Sequence, residues 1–260
     1  MLTEERRRRI AERLQAHGAV SNEALADEFN VTRMTIYRDL KALEASGRLR
    51  RVRGGAVIDR GSDEPLFVSK RDVHRAQKAA IAAYAAATFV RERDLIFLEA
   101  GTTATAMVRS LVEPAPTIVT NGLEVINEAA KHVPHMTVMG CGGILRERSY
   151  TFVGPQAVQF FEGVHARTFF VSGTGLTPNE GLTDPNPLEV QVKLAMAEHA
   201  ESVVLLLDSS KLGIRSLLAS VPLERIDHLV TDAGADPGIV RAIAERGPRI
   251  HIVPVEDNDA

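Results

Sequence analysis

Residues 32–40 read Thr-Arg-Met-Thr-Ile-Tyr-Arg-Asp-Leu, and this run sets the architecture of the amino-terminal part of the chain. Thr32 is a suitable cap for a helix that starts at Arg33 and is ended by Gly47. The apolar positions that face inward recur at helical spacing, namely Ile36, Leu40 and Leu43. Residues 48–58 alternate on both sides of a Gly-Gly turn, which predicts a β-hairpin.

Two further helices are predicted upstream of this run. The first carries Ile10 and Leu14 on one face, and the second is capped by Ser21 and turns Ala24, Leu25 and Phe29 inward. Three short helices followed by a basic hairpin make a winged helix-turn-helix, in which the third helix enters the major groove of DNA. We therefore expect a DNA-binding domain over residues 1–58 and double-stranded operator DNA as a partner.

The side chains expected to contact DNA lie on the third helix and on the hairpin. The helix offers Arg33, Thr35, Tyr37 and Arg38 to the bases, and the wing offers Arg48, Arg50, Arg51 and Arg53 to phosphates. Asp39 is predicted to be structural and to orient an arginine. Residues 1–60 hold 13 Lys and Arg against 9 Asp and Glu, whereas the remainder holds 18 against 25, so the basic excess is confined to this end.

The rest of the chain has a different pattern. Residues 59–74 are predicted to be a linker, because they contain Gly, Ser, Asp, Glu and Pro with little periodicity. From residue 75 to about 255, apolar strand-like runs alternate with helical segments. This alternation predicts an α/β domain with an open, mostly parallel sheet.

Small polar residues follow the predicted strands, at the edge where open α/β sheets bind ligands. Gly101-Thr102-Thr103 opens a helix and is the first candidate for a phosphate cradle. The full set of candidate effector-binding residues is Gly101, Thr102, Thr103, Thr120, Asn121, Gly142, Gly143, Asp184, Lys193, Asp208 and Lys211. The glycines allow close backbone approach, the lysines supply positive charge and the aspartates can accept hydrogen bonds from sugar hydroxyls. The expected ligand is a small phosphorylated metabolite.

Several of these runs resemble the signatures of DeoR-type bacterial transcriptional regulators, in family order over about residues 1–232. They are Thr35-Ile36-Tyr37-Arg38-Asp39-Leu40, Arg51 to Ala56, Glu99 to Thr103, Val119-Thr120-Asn121, Gly140 to Leu145, Val153-Gly154-Pro155, Gly181-Leu182-Thr183, Glu189 to Lys193 and Asp208 to Lys211. The family commonly has Arg where this chain has Tyr37. The resemblance implies a repressor of carbohydrate-metabolism genes, controlled by a phosphorylated sugar bound to a sensor domain related to the ribose-5-phosphate isomerase fold.

Two other functions stay open at this point. Asp184 and Glu189 are candidate bases for a sugar-phosphate isomerase, but Ser172 to Gly175 replaces the acidic loop that such an enzyme uses. A DNA-binding protein without a small-molecule effector is the other alternative. No residues are predicted to be catalytic, and no metal site or cofactor is expected.

Composition narrows the class further. The chain has 260 residues, 45% hydrophobic and 25% charged, with the single cysteine Cys141, so a disulfide-built scaffold is excluded. No run approaches a membrane span and no signal peptide precedes the first helix, so a cytoplasmic protein is expected. A homodimer or homotetramer is expected, because paired half-sites extend what one recognition helix can read.

Overall fold

The structure is a computed structural model that describes residues 3–17, 19–45, 49–52, 54–57, 64–132 and 135–255. The chain divides into two compact units, Met1–Asp72 and Val73–Ala260. This division falls inside the predicted linker 59–74, and the predicted domain limits stay predictions. Within the described ranges, no helix combines the length and the apolar character needed to cross a bilayer.

The amino-terminal unit is built from short helices and strands. Among its described residues these are α1 (Thr3–His17), β1 (Ala19–Ser21), α2 (Asn22–Phe29), α3 (Arg33–Ala45), β2 (Arg50–Val52), β3 (Gly55–Val57) and α4 (Phe67–Arg71). The strands form an antiparallel sheet in the order β1-β3-β2, and Gly54 turns the chain between β2 and β3 with φ +89°. The predicted winged helix-turn-helix is confirmed, and β1, which the sequence did not reveal, completes its sheet.

Local signals place these helices as predicted. Ser21 Oγ accepts a hydrogen bond from the Glu23 N–H at 3.2 Å, and Thr32 Oγ1 accepts one from the Thr35 N–H at 3.2 Å. The buried apolar core is formed by Ile10, Leu14, Leu25, Ala26, Ile36, Leu40, Leu43, Leu49 and Ala56. The inward orientation predicted for Ala24 is wrong: Ala24 is exposed and Ala26 is buried, because successive helix residues are about 100° apart and the core-facing stripe of α2 runs through Leu25, Ala26 and Phe29.

An ion-pair cluster joins α1 to α3. The carboxylate of Asp39 accepts hydrogen bonds from Arg6 Nε at 2.6 Å and from Arg7 Nε at 2.9 Å. Arg6 and Asp39 are both buried, whereas Arg7 is about one-third exposed. Asp39 therefore has the predicted structural role, and part of the basic run at residues 6–9 positions the recognition helix.

The carboxy-terminal unit alternates strands and helices. The helices of its described residues are α5 (Arg75–Phe89), α6 (Thr102–Met107), α7 (Leu123–Ala130), α8 (Pro155–Glu162), α9 (Pro187–Glu198) and α10 (Pro237–Ala244), with 3-10 turns at Val108–Leu111, Ser209–Lys211 and Leu223–Arg225. The strands are β4 (Leu95–Leu98), β5 (Thr117–Thr120), β6 (Thr137–Gly140), β7 (Ile144–Arg146), β8 (Thr151–Val153), β9 (Ala166–Val171), β10 (Gly175–Thr177), β11 (Gly181–Asp184), β12 (Ala200–Leu206), β13 (Leu218–Ala219), β14 (His228–Asp232) and β15 (Arg249–Val253).

The main sheet of this unit is parallel throughout its described strands, in the order β15-β14-β12-β9-β4-β5-β6. Successive strand residues point to opposite faces, so Phe97 packs into one core while Ile96 and Leu98 pack into the other. Helices α8 to α10 contribute to the first core and α5 to α7 to the second. The predicted open, mostly parallel α/β sheet is confirmed, and the structure shows helices on both of its faces.

Two smaller sheets were not predicted. Strands β7 and β8 form a hairpin, and β10, β11 and β13 form a separate antiparallel sheet within the described chain. Each of these strands has only two to four residues. Segments this short give too few alternations for a sequence pattern to identify them.

Candidate functional site

The exposed face of α3 carries the predicted helix contacts. Arg33, Tyr37 and Arg38 are exposed, and Thr35 is half-buried with its Oγ1 3.0 Å from that of Thr32. Arg33 forms an exposed ion pair with Glu23 of α2. Among the described residues, Arg38 has neither a hydrogen bond nor an ion pair. The donors of Arg38 are therefore unoccupied within the described chain, as are those of the exposed Lys41 one turn further along the same face.

Arg51 connects the wing to α3. Its guanidinium lies over the ring of Tyr37, with 4.8 Å from Cζ to the ring centroid, and its Nε donates to Glu44 Oε2 at 2.6 Å. Its backbone N–H donates to Glu44 Oε1 at 2.8 Å. That backbone bond lowers the pKa of the Glu44 carboxyl, and hydrogen bonding by Arg51 lowers the pKa of the Tyr37 phenol. No local sequence pattern indicates this internal role for Arg51, because Glu44 and Tyr37 lie seven or more positions away.

The side chains of the other wing arginines lie outside what the structure describes. Arg48 and Arg53 lie outside the described residues, and Arg50 belongs to β2 without a described side chain. Their predicted phosphate contacts stay predictions.

The order of the main sheet defines a crevice in the second unit. The chain runs from β4 to β5 and β6 on one side, and then from β9 to β12, β14 and β15 on the other. Strands β4 and β9 are neighbours, so the direction of winding reverses between their carboxyl ends. Open α/β sheets bind ligands at such a reversal.

Gly101 to Thr103 lie at this crevice, directly after β4. A Cβ on Gly101 would stand 3.2 Å from Ser172 Cβ, so glycine permits the loops after β4 and β9 to approach closely. Thr102 is half-buried, and Thr103 is fully buried. Within the described residues, Thr103 Oγ1 has no hydrogen-bond partner.

Thr120 ends the neighbouring strand β5 and Asn121 follows it, and their side chains differ in how many hydrogen-bonding groups remain unpaired. Thr120 Oγ1 donates to the Leu98 carbonyl at 2.5 Å and accepts from the Gly122 N–H at 2.9 Å, so it ties β5 to β4. Asn121 Oδ1 accepts from the Ala100 N–H at 3.0 Å. Its buried Nδ2 has no partner in the part of the chain that is described. Asn121 therefore retains a donor, whereas Thr120 has a structural bond network.

Lys193 and Asp184 meet behind the crevice in a buried network. Lys193 Nζ donates to Asp184 Oδ2 at 2.8 Å and to the Ser172 carbonyl at 2.7 Å, and it lies 3.7 Å from Glu99 Oε1. Asp184 Oδ2 also accepts from Ser220 Oγ at 2.8 Å. The predicted positive charge of Lys193 is thus neutralised inside the protein.

The protonation of Lys193 follows from its neighbours. Burial alone would lower the pKa of its amine, but the carboxylates of Asp184, Glu99 and Glu189 raise it well above its usual value. The ammonium ion is therefore retained at neutral pH, beside the side chains of Asp184 and Glu99 at the crevice.

A second charged contact was missed by sequence reasoning. Arg146 on β7 and Ser149 both donate to Glu189 Oε1 on α9. Glu189 is buried at the start of its helix, where the Asn186 side chain caps the first turn. This contact joins the β7–β8 hairpin to the helix that carries Lys193. The sequence pattern indicates Glu189 only as a candidate base, and it contains no local signal for Arg146.

The remaining candidates lie around the rim. Lys211 Nζ donates to the Gly173 carbonyl at 2.8 Å, which places it at the loop after β9, and the buried Asp208 accepts from Ser210 Oγ after β12. Gly142 and Gly143 follow β6, two strands away from β4, and have φ values of +69° and +105°. A Cβ on Gly143 would lie 2.6 Å from a carbonyl oxygen, so this glycine is required by the backbone itself.

The structure therefore brings together most of the predicted set. Grouped at the β4, β5 and β9 ends are Gly101, Thr102, Thr103, Thr120, Asn121, Asp184, Lys193 and Lys211. Gly142, Gly143 and Asp208 extend from other strands. The grouped site offers hydroxyl and amide donors next to fixed carboxylates, which suits a polar ligand with hydroxyl groups.

Comparisons with known proteins cover both units. A family model described as a DeoR-like helix-turn-helix domain matches residues 6–61, and one described as a DeoR C terminal sensor domain matches residues 73–233. The HTH-type transcriptional regulator YulB of Bacillus subtilis (strain 168) is 32% identical over 98% of each chain. The putative aga operon transcriptional repressor of Escherichia coli O157:H7 is 30% identical over 96% of this chain and 94% of its own.

Among solved structures, ribose 5-phosphate isomerase A from Methanocaldococcus jannaschii aligns over 52% of each chain, with a TM-score of 0.38 and 16% identity. At this level the likeness carries no information about function.

Proposed function

The chain belongs to the DeoR family of transcriptional regulators, and we propose that it is a repressor of carbohydrate-metabolism genes that a phosphorylated sugar controls. As a member of this family it is a DNA-binding regulator and not an enzyme. The repressor acts by occupying an operator, and the effector changes that occupancy by preferring one arrangement of the protein over another.

The proposal for the DNA-binding half rests on the exposed face of α3. Arg38 presents unoccupied donors there, and an arginine can bond the guanine edge in the major groove at two points. We expect Arg38→Ala to weaken binding to a selected duplex by about 1–3 kcal/mol. Fluorescence anisotropy measures this, with Arg241→Ala as a control because Arg241 is an exposed arginine on α10. Equal affinity of both variants would contradict the docking of α3.

The single observation that carries the effector proposal is a pair of unpartnered donors at the crevice. Thr103 Oγ1, in the first turn of α6 after β4, and Asn121 Nδ2, directly after the adjacent strand β5, are fully buried. A buried polar group without a partner costs free energy, so such groups persist where a ligand completes their bonding. Both are donors, which fits an anionic or polyhydroxylated ligand.

The carboxylates beside these donors supply the sugar-binding part of the proposal. Asp184 and Glu99 lie 2.8 Å and 3.7 Å from Lys193 Nζ, and carboxylate oxygens accept strongly from hydroxyl groups. Lys211, at the loop after β9, is the cation proposed to approach the phosphate. In this assignment Lys193 orients the site and does not itself bind phosphate.

A thermal-shift panel that pairs each sugar with its phosphate ester tests the effector proposal. A ligand at one hundred times its Kd adds about 2.7 kcal/mol of stability, which is readily detected. A shift with one ester and not with its parent sugar supports a phosphate site. If no ester shifts the unfolding transition, the proposed effector class is wrong.

The variant Thr103→Val ties this response to the crevice. It removes a hydroxyl with no internal hydrogen bond, so stability is expected to change by less than about 1 kcal/mol while affinity falls about tenfold or more. Thr231→Val is the matched control, because Thr231 is equally buried and unpartnered but lies at the end of β14, three strands from β4. Equal loss in both variants would place the ligand elsewhere.

We further propose that the protein acts as a homodimer or homotetramer in the cytoplasm. A single recognition helix reads few base pairs, and paired half-sites supply the remaining specificity. Light scattering coupled to gel filtration gives the mass in solution, and a monomer that binds its operator with full affinity would refute this part.

A further inference from the structure

We propose that Met34 and Tyr37 read the 5-methyl groups of thymines in the operator, which makes Met34 a specificity-determining residue. This inference rests on the proposed docking of α3 in the major groove. Met34 is 60% exposed and Tyr37 is 47% exposed, although both are large and apolar. They are three positions apart and therefore lie on one face of the helix.

Their exposure is not a failure of packing, because α3 already has a complete inner face. Ile36, Leu40 and Leu43 are buried in the core of the unit, and Asp39 is bonded to α1. Met34 therefore faces the solvent at the amino-terminal end of the helix. In helix-turn-helix proteins this end leads into the groove.

The Tyr37 ring is held in place before any DNA is bound. The guanidinium of Arg51 covers one face of the ring, and Arg51 is in turn bonded to Glu44 on the same helix. An aromatic side chain that is already ordered loses little conformational entropy on binding. The remaining exposed surface of the ring is available to a partner.

Two of the cations on this face already have partners within the protein. Arg33 is paired with Glu23 and Arg51 with Glu44, so in the described chain Arg38 and Lys41 are the exposed cations of this face with unoccupied donors. The surface therefore consists of these two cations beside two apolar side chains. In the major groove the apolar feature of a base pair is the thymine methyl, and methionine and aromatic carbons complement it.

The test begins with duplexes that the full-length protein selects from a randomised library. Each thymine in a selected duplex is then replaced by deoxyuridine, which removes only the methyl group. One buried methyl is worth about 0.8 kcal/mol, so each contacted position is expected to lose about fourfold in affinity.

Variants assign the effect to the residue. Met34→Ala is expected to bind thymine and deoxyuridine duplexes equally at its position, while Met34→Leu keeps the preference. Met139→Ala is the matched control, because Met139 is an exposed methionine on β6, outside the DNA-binding unit. Tyr37→Phe keeps the ring and is expected to keep the preference, whereas Tyr37→Ala loses it.

The outcomes distinguish a failure of α3 docking from a failure of methyl recognition. A library from which nothing is enriched contradicts the docking of α3 itself. Enriched duplexes that bind equally well with deoxyuridine at every position overturn methyl reading while leaving the docking intact. If Met34→Ala keeps the full deoxyuridine effect, Met34 is not a reader.

Discussion

Replacing Asp39 by alanine should destabilise the DNA-binding unit through a residue that touches no DNA. The change leaves Arg6 buried without its partner, with only 8% of its side chain exposed. Removing one member of a buried ion pair costs about 3–5 kcal/mol. Arg7 adds little to this cost, because its side chain is 36% exposed and water can solvate it.

This cost is large for a unit of this size. At about 0.05–0.15 kcal/mol per residue, residues 1–72 are expected to have a free energy of unfolding of about 4–11 kcal/mol. Asp39→Ala therefore removes about a quarter or more of it. DNA affinity falls as well, because α3 is the element that loses its anchor to α1.

Hydrogen exchange read by mass spectrometry resolves the two units in one experiment. Amides of α1 and α3 are expected to exchange faster by the factor that 3–5 kcal/mol implies, while amides of the main sheet keep their protection. Arg6→Ala and Arg7→Ala form a matched pair, since both side chains bond the same carboxylate but differ in burial. Equal and small effects of all three variants, below about 1 kcal/mol, would refute the assignment of Asp39 as an anchor.

Three further predictions concern the second unit. Because the pKa of Lys193 is raised, its contribution is fully present below about pH 10.4 and is lost as pH rises through the raised value. The difference in urea-unfolding free energy between the unaltered protein and Lys193→Met should therefore be level from pH 7 to 10 and change only above that range. Burial lowers the pKa values of His228 and His251, so stability present above about pH 6.5 is lost as pH falls through the lowered values, and calorimetry should show a lower Tm at pH 5 than at pH 7. Gly142→Ala should lower the free energy of unfolding by about 1–2 kcal/mol, the cost of a left-handed backbone, because its Cβ would meet no atom within 4 Å. Gly143→Ala should lower it further, because its Cβ would also meet a carbonyl oxygen at 2.6 Å. Similar losses in urea unfolding of both variants would contradict the clash.

The elements that the sequence predicted well are those whose signal is local. The runs at residues 95–98 and 117–120 became β4 and β5, because strands buried on both faces are rich in apolar and β-branched side chains. The caps at Ser21 and Thr32 were readable for the same reason, since a cap bonds a backbone group only two or three residues away.

The partners of the charged groups could not be read in this way. Arg6 and Arg8 stand in one basic run, yet Arg6 is buried against Asp39 while Arg8 pairs at the surface with Glu12. Lys193 looked like a phosphate ligand because Glu99, 94 positions earlier in the chain, gives no local sign that it will neutralise that lysine. The predicted members of the candidate site were found by loop position after strands, whereas Glu99 and Arg146 depend on long-range contacts.

The pairing of β4 with β9 also has a kinetic consequence. Ile96 lies opposite Thr168, so the two walls of the crevice come from segments about 70 residues apart and the intervening chain must be closed before the walls exist. A nascent chain that has released only β4, β5 and β6 from the ribosome has no binding site to offer. Any ligand of the crevice therefore cannot speed the early collapse of this domain. It acts afterwards, by slowing the unfolding of molecules in which the central strands have already met.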